Sequence, residues 1–291
     1  MAAANLLLRR ASNKATKAIG MYAGGQFPMF FVTEYPKSGG TWLARMVSDA
    51  MQVPFPQHYV LPIGFKAVVQ NHWRYSHRLR HVFYLYRDGR DVMTSFFFHR
   101  MRTIRNRSEA NWEGVQKRAE RLFGAGFDAD DTVSLLPRFI EHEFVQPRGA
   151  RTNWRDHVMQ WFDPARPGVA YLSYEMLRTN PRLTLKRAIE TVTEREIDDW
   201  RIESAVDRNS MERQTGRRAG QEDRSHFVRR GVVGDWRNHF TREAADVFND
   251  LAGEALVMLG YEDDTRWAQR QRFIDDVEVE RTTEVVPAAV A

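Results

Sequence analysis

The chain has 291 residues, 43% of them hydrophobic and 28% charged, with 43 Lys and Arg against 38 Asp and Glu, a formal net charge of +5. These proportions are ordinary for one large globular domain with a sizeable core, and no internal repeat marks a solenoid or propeller. The absence of cysteine excludes disulfides, thiolate chemistry and cysteine-based zinc sites, and no run approaches the roughly 18 uninterrupted apolar residues of a membrane-crossing helix.

The start, Met1 to Arg10, has too short an apolar stretch for a signal peptide, and its charges follow that stretch instead of preceding it. It reads as a short amphipathic or frayed helix up to about Gly20. A strand is predicted over Phe30 to Glu34 and a helix from Thr41 to Met51. Residues 52–64 read as loop, broken by Pro54, Pro56 and Pro62. Phe65 to Gln70 reads as a second strand, and His81 to Tyr86, apolar nearly throughout, as a buried parallel strand. A helix is expected from Val92 to about Ile104, and the polar, mixed, Gly-containing stretch 105–150 is expected to carry loops. Trp154 to Trp161 is predicted helical, Val169 to Ser173 a strand, and Tyr174 to Leu177 the opening of the next turn. Arg182 to Val192 is predicted as a helix, with Pro181 near its start. Residues 209–231 read as a lid or mobile loop, Thr241 to Leu259 as a late helix, and residues 276–291 as a frayed tail. Strands alternating with helices imply an α/β fold with a mostly parallel sheet. The expected organisation is an extension over 1–25, a main domain over 26–262, and a C-terminal helix and flexible tail over 263–291.

The stretch with the most chemistry is Tyr35-Pro36-Lys37-Ser38-Gly39-Gly40-Thr41-Trp42, between the first strand and its helix. A strand, a small-residue turn and a helix start make an anion cradle, because backbone N–H groups and the helix dipole both favour negative charge there. Lys37 adds a point charge, Ser38 and Thr41 add hydroxyls, and Trp42 offers a flat face to a base. No Walker-type Gly-x-x-x-x-Gly-Lys-Ser/Thr sequence occurs. Basic residues crowd two stretches, Arg74 to Arg90 and Arg213 to Arg230. Such a field suits a ligand with several phosphate or sulfate charges, and equally nucleic acid.

Tyr35 to Trp42 resembles the 5′-phosphosulfate-binding loop of the cytosolic-type sulfotransferases, which use 3′-phosphoadenosine 5′-phosphosulfate (PAPS). Arg87-Asp88-Gly89-Arg90-Asp91-Val92 with Ser95 resembles that family's 3′-phosphate-binding strand and helix. Arg229-Arg230-Gly231-Val232-Val233-Gly234-Asp235-Trp236 resembles its Arg-Lys-Gly-x-x-Gly-Asp-Trp segment. The resemblance implies a three-layer P-loop-like fold, with a central mostly parallel sheet flanked by helices. It implies transfer of a sulfuryl group from PAPS to a hydroxyl or amine, leaving adenosine 3′,5′-bisphosphate (PAP).

Within that resemblance Lys37 stabilises charge on the leaving phosphate, and Ser38, Gly39, Gly40 and Thr41 line the loop; the family usually has Thr where Gly40 stands. Arg87 and Ser95 bind the 3′-phosphate, and Arg229, Arg230 and Gly231 close over it. Trp42 is one wall for the adenine, Tyr174 a second contact, and Met211 stands where the family often has Phe. The family base is a His at the end of the second strand, which makes His72 in Gln70-Asn71-His72 the expected base, with His77 and His81 as alternatives. Asp91 is expected to cap the strand-to-helix turn between Arg87 and Ser95 or orient Arg87, and Trp236 to pack. No metal is expected, since no acidic cluster accompanies the loop. The acceptor is expected to be a small molecule or carbohydrate, entering over residues 52–64, 105–150 and 210–230. Nucleic-acid binding and a membrane span are not expected, and the compartment implied is the cytoplasm. Arg237, Thr241 and Arg242 lie where many relatives carry a homodimer motif, with Arg242 in place of its Val. A nucleotide or small-molecule kinase and a basic nucleic-acid-binding module are the rival readings.

Overall fold

The computed structural model describes residues 2–23, 27, 29–57, 66–106, 112–218, 220–226 and 229–276, with side chains from residue 11 onward. In chain order the elements are α1 (Ala2–Tyr22), β1 (Met29–Glu34), α2 (Gly40–Met51), β2 (Ala67–Asn71), β3 (Val82–Tyr86), α3 (Gly89–Arg105), α4 (Trp112–Phe123), α5 (Thr132–Val145) and α6 (Trp154–Trp161). They continue with β4 (Val169–Ser173), α7 (Tyr174–Thr179), α8 (Pro181–Thr193), α9 (Asp199–Arg208), α10 (Met211–Thr215), a 3-10 turn (Asp235–Asn238), α11 (Arg242–Met258) and α12 (Trp267–Arg270). The chain divides into two compact units, one of Met1–Arg87, Gly149–Arg151 and His157–Ala219, the other of Asp88–Arg148, Thr152–Asp156 and Gly220–Ala291.

The first unit holds the sheet. Its strand order is β2-β1-β3-β4, and every pairing is parallel. Every residue of β1 is buried, as expected of a central parallel strand covered on both faces. Alternate side chains serve the two faces. Phe30 and Val32 pack with Leu43 and Val47 of α2 and with Leu185 and Ile189 of α8. Met29 and Phe31 pack on the other face with Tyr84 and Trp161, beside Ile19 and Met21 of α1. The result is three layers, helix on sheet on helix. Because β1 lies between β2 and β3, the connections leaving it and reaching β3 run to opposite sides, and the C-terminal end of β1 is the switch point where such sheets bind ligands.

The second unit is helical. Phe96 and Phe97 of α3 meet Phe139 of α5 edge-on, and Phe144 meets Phe248 of α11 in the same way. Arg90 is buried between the rings of Trp236 and Trp267, at 4.0 and 4.5 Å, and paired with Asp88 at 2.8 Å and Glu262 at 2.5 Å. Trp236 is therefore a packing residue, as its sequence context suggests. Arg242 donates to the Ala268 and Gln271 carbonyl oxygens and pairs with Asp276, fastening the segment after α12.

One sequence expectation is extended and one corrected. The stretch 105–150 carries α4 and α5 beside its loops. The first half of the expected lid, 209–218, contains α10 and is pinned, since Asn209 donates to Asp49 of α2 at 2.7 Å. The expected frayed tail, apart from residue 276, and Phe65 of the expected second strand lie outside the described residues. No helix of the described residues is long and apolar enough to cross a membrane.

Candidate active site

In the first unit the loop from Tyr35 to Gly39 turns the chain from β1 into α2. Lys37 sits at φ 74°, in the left-handed region that a lysine enters only at a cost. Gly39 caps the helix at φ 105°, and a Cβ there would lie 2.8 Å from the Tyr174 ring. Ser38 is fully buried, and its Oγ has no hydrogen-bond partner among the described residues. The N–H of Ser38 is used locally, on the Tyr35 oxygen at 3.2 Å.

Arg87 follows β3 directly. Its Nη1 donates to the Lys37 main-chain oxygen at 3.3 Å, and its guanidinium lies 4.2 Å from the Tyr174 ring centroid. Tyr174 opens α7 behind the Ser173 cap, whose Oγ accepts from the Met176 N–H at 3.0 Å. Trp42 donates its Nε1–H to the Asn209 oxygen at 2.8 Å. The structure thus brings Lys37, Ser38, Gly39, Trp42, Arg87 and Tyr174 together. Trp42 and Tyr174 touch edge to face, with ring centroids 5.9 Å apart at 67°. They form one aromatic corner, not two parallel walls with a base-sized gap between them.

Beneath the loop lies a polar network that sequence reasoning missed. Glu34, the last residue of β1, is buried, and its Oε2 accepts the N–H of Gly40. Its Oε1 accepts from the Gln70 amide at 2.7 Å, and the Gln70 Oε1 accepts from the Thr41 hydroxyl at 3.0 Å. The Gly40 N–H is thereby committed to a carboxylate of the chain itself. Burial pushes the Glu34 carboxyl upward in pKa, opposed by His72, the Gln70 and Gly40 donors and Lys37. The only signal in the sequence was a Glu two residues before Pro36, which no helical or strand period marks.

His72 lies just beyond β2. Its Nδ1 is 3.0 Å from the Glu34 main-chain oxygen. A carbonyl oxygen only accepts, so Nδ1 carries the proton and the neutral ring keeps its lone pair on Nε2. Asn71 fixes this turn, accepting at Oδ1 from the Thr33 hydroxyl and the Trp73 N–H, each at 3.1 Å. The alternatives stand elsewhere. His77 is exposed in a turn, and His81 precedes β3 at the opposite end of the sheet, its ring against Phe30. His157, held neutral by burial and by nearby His72 at a pKa of about 3, hydrogen-bonds the Tyr84 hydroxyl at 3.1 Å inside the core.

In the second unit Ser95 is half-buried on α3. At the start of α3 it is Asp88 that accepts the Arg90 N–H, at 2.9 Å, whereas the Asp91 carboxylate accepts from the Gly234 N–H at 2.8 Å and the Trp236 N–H at 3.0 Å. Arg229 and Arg230 converge on Asp235, the latter at 2.6 Å, and Arg229 also pairs with Glu222 at 2.6 Å. Burial alone would raise the Asp235 carboxyl, yet His239 and Arg229 hold it far below the usual carboxylate range. Gly231 has φ 65°. Among the described residues no group of three or more His, Asp or Glu side chains could hold a metal.

A family model described as the sulfotransferase domain matches residues 76–260. That segment contains Arg87, Ser95, Tyr174 and Arg229 to Gly231, whereas the Lys37 loop and His72 precede it. Among curated proteins the chain is similar to sulfotransferase 1B1 of Mus musculus, 22% identical over 75% of this chain and 79% of that one. It is also similar to the amine sulfotransferase of Oryctolagus cuniculus, 20% identical over 78% of this chain and 80% of that one. Among solved structures it resembles mouse sulfotransferase SULT7A1 complexed with PAP, with a TM-score of 0.54, 20% identity, and coverage of 78% of this chain and 84% of that one. It also resembles retinol dehydratase in a complex with retinol and PAP, with a TM-score of 0.54, 18% identity, and coverage of 79% and 83%.

Proposed function

The chain belongs to the sulfotransferase family, and on that premise we propose that it moves a sulfuryl group from PAPS to a hydroxyl or amine of a small-molecule or carbohydrate acceptor, leaving PAP. The observation that carries this reading is the cluster at the C-terminal end of β1, where Arg87 reaches both the Lys37 oxygen and the Tyr174 ring. The residues there suit a polyanionic nucleotide. The buried Ser38 hydroxyl, which has no partner among the described residues, is a ready donor to an oxyanion, and the glycine at 39 admits close backbone approach.

When bound, PAPS supplies an activated sulfuryl group whose leaving group is a phosphate. The residues of the chain provide the rest. Lys37, Ser38, Thr41 and the N-terminus of α2 hold the phosphosulfate end, and the Lys37 ammonium stabilises charge as it develops on phosphate. His72 takes the acceptor's proton at Nε2, because Nδ1–H is given to the Glu34 oxygen. Arg87 binds the 3′-phosphate, and Ser95, Arg229, Arg230 and Gly231 are the further phosphate-binding residues that the family resemblance assigns. Tyr174 and Trp42 offer an aromatic edge to the base. Positioning and charge stabilisation are the main sources of rate.

The proposal includes action without a metal, in the cytoplasm, on acceptors other than nucleic acid, and as a homodimer through the 237–242 stretch. Sedimentation of the purified chain tests the last point. Thermal unfolding with PAP, ATP or an oligonucleotide tests the whole reading. Strong stabilisation by PAP alone is expected. Equal stabilisation by ATP with magnesium, or by the oligonucleotide, would favour the kinase or nucleic-acid reading instead.

A further inference from the structure

We propose that Glu34 is a positioning residue for the phosphosulfate-binding loop, and that Gly40 is the residue its carboxylate requires. The inference rests on the sulfotransferase reading and assigns a role to a side chain outside the loop itself.

The geometry is specific. The Glu34 carboxylate fills the volume that a side chain at position 40 would enter, since a Cβ built on Gly40 meets the Glu34 Cδ and both its oxygens. The same carboxylate accepts the Gly40 N–H, the first N–H of α2, and so fixes where the helix begins. Its other oxygen accepts from Gln70 at 2.7 Å, and Gln70 in turn accepts from the Thr41 hydroxyl at 3.0 Å. One carboxylate therefore sets the start of the helix and, through Gln70, the direction of a loop hydroxyl.

Lys37 and His72 lie near enough to favour the ionised form of this carboxylate against its burial. The main-chain oxygen of the same residue holds the His72 ring at 3.0 Å. Glu34 thus ties the loop, Thr41 and the proposed base to the end of one strand.

The dependence of Gly40 on Glu34 follows. Any side chain at 40 must displace the carboxylate, which then loses the Gly40 N–H and leaves a buried charge poorly paired. With a small residue at 34, the same side chain at 40 has room. Substitutions at the two sites are therefore strongly non-additive.

The test is a double-mutant cycle on the full chain, with PAP as the probe. PAP dissociation constants are measured by titration calorimetry for wild type, Gly40→Ala, Glu34→Ala, the double variant and Glu34→Gln, together with KM for PAPS, kcat and Tm. Gly40→Ala is expected to weaken PAP binding about tenfold or more in the wild-type background. In the Glu34→Ala background the same change should cost no more than about twofold. Glu34→Gln, whose amide oxygen can still accept the Gly40 N–H, should recover most of the affinity lost in Glu34→Ala. Its KM for PAPS should change more than its kcat. Additive losses, or wild-type affinity in Glu34→Ala, would overturn the proposal. If Glu34→Ala does not fold, Gln70→Ala carries the test, and an unchanged PAP affinity there overturns it equally. Failure of the wild-type chain itself to bind PAP would instead bring down the sulfotransferase reading on which the proposal rests.

Discussion

His72 donates its Nδ1–H to the main-chain oxygen of Glu34 across 3.0 Å, which leaves Nε2 as the basic nitrogen of the neutral ring. His72→Ala is expected to lower kcat by about 10²–10⁴-fold, the usual size of general-base catalysis. PAP affinity should change little, because the ring is proposed to act on the acceptor. Turnover and PAP binding measured over a pH series check this, and wild-type turnover in the variant throughout the series would exclude His72 as the base.

Lys37 combines a proposed electrostatic role with a left-handed backbone at φ 74°. Lys37→Ala should cost transfer about 100-fold or more, as removal of a transition-state donor does. Lys37→Gly should be equally inactive yet unfold in denaturant no earlier than wild type, since glycine relieves about 1 kcal/mol of left-handed strain. A clear fall in the unfolding midpoint of the glycine variant would contradict the backbone argument.

Arg87 lies over Tyr174 while reaching the Lys37 oxygen. Lysine can neither fork onto a phosphate nor stack in the same way. Arg87→Lys is expected to weaken PAP about 10–100-fold and AMP, which lacks the 3′-phosphate, no more than about threefold. Calorimetric titrations of the two nucleotides measure the difference, and equal losses would remove Arg87 from 3′-phosphate recognition.

Glu143 is buried in the second unit, accepts the Arg148 N–H at 3.0 Å, and is pushed up by burial to a pKa of about 7. A carboxyl raised on folding binds more protons in the native state than in the unfolded one. Its contribution to stability is therefore full below about pH 4.5 and is lost as pH rises through about 7. The loss is at most about 3 kcal/mol, since each tenfold change in proton affinity corresponds to about 1.4 kcal/mol. Glu143→Gln cannot titrate there, so denaturant unfolding of this variant should show a shallower fall in stability between pH 4.5 and 7. A parallel fall in both proteins would contradict the assignment.

The sheet was legible because parallel strands covered on both faces read as apolar runs. Val169–Ser173 was anticipated to the residue, and β1 and β3 to within one. The strand–loop–helix order around Tyr35 to Trp42 was legible because small residues separate an apolar run from a helical pattern. α4 was hidden by its charge, since Val115 and Ala119 are its buried residues among many polar ones. α5 was hidden by Pro137, which the helix accommodates within it behind the Asp131 cap. The Glu34 network could not be read in advance. Its partners at 40, 41, 70 and 72 meet only when β1 and β2 pair in register, with Val32 opposite Gln70 and Thr33 opposite Asn71.

The most direct measurement is transfer itself. Purified protein incubated with PAPS radiolabelled in its sulfuryl group and a pool of phenol, steroid, sugar and amine acceptors should move the label to an acceptor and release PAP in equal amount. Lys37→Ala should leave the label where it began. Wild-type protein that binds PAPS yet transfers no label to any acceptor, or Lys37→Ala that transfers it as fast as wild type, would contradict the account.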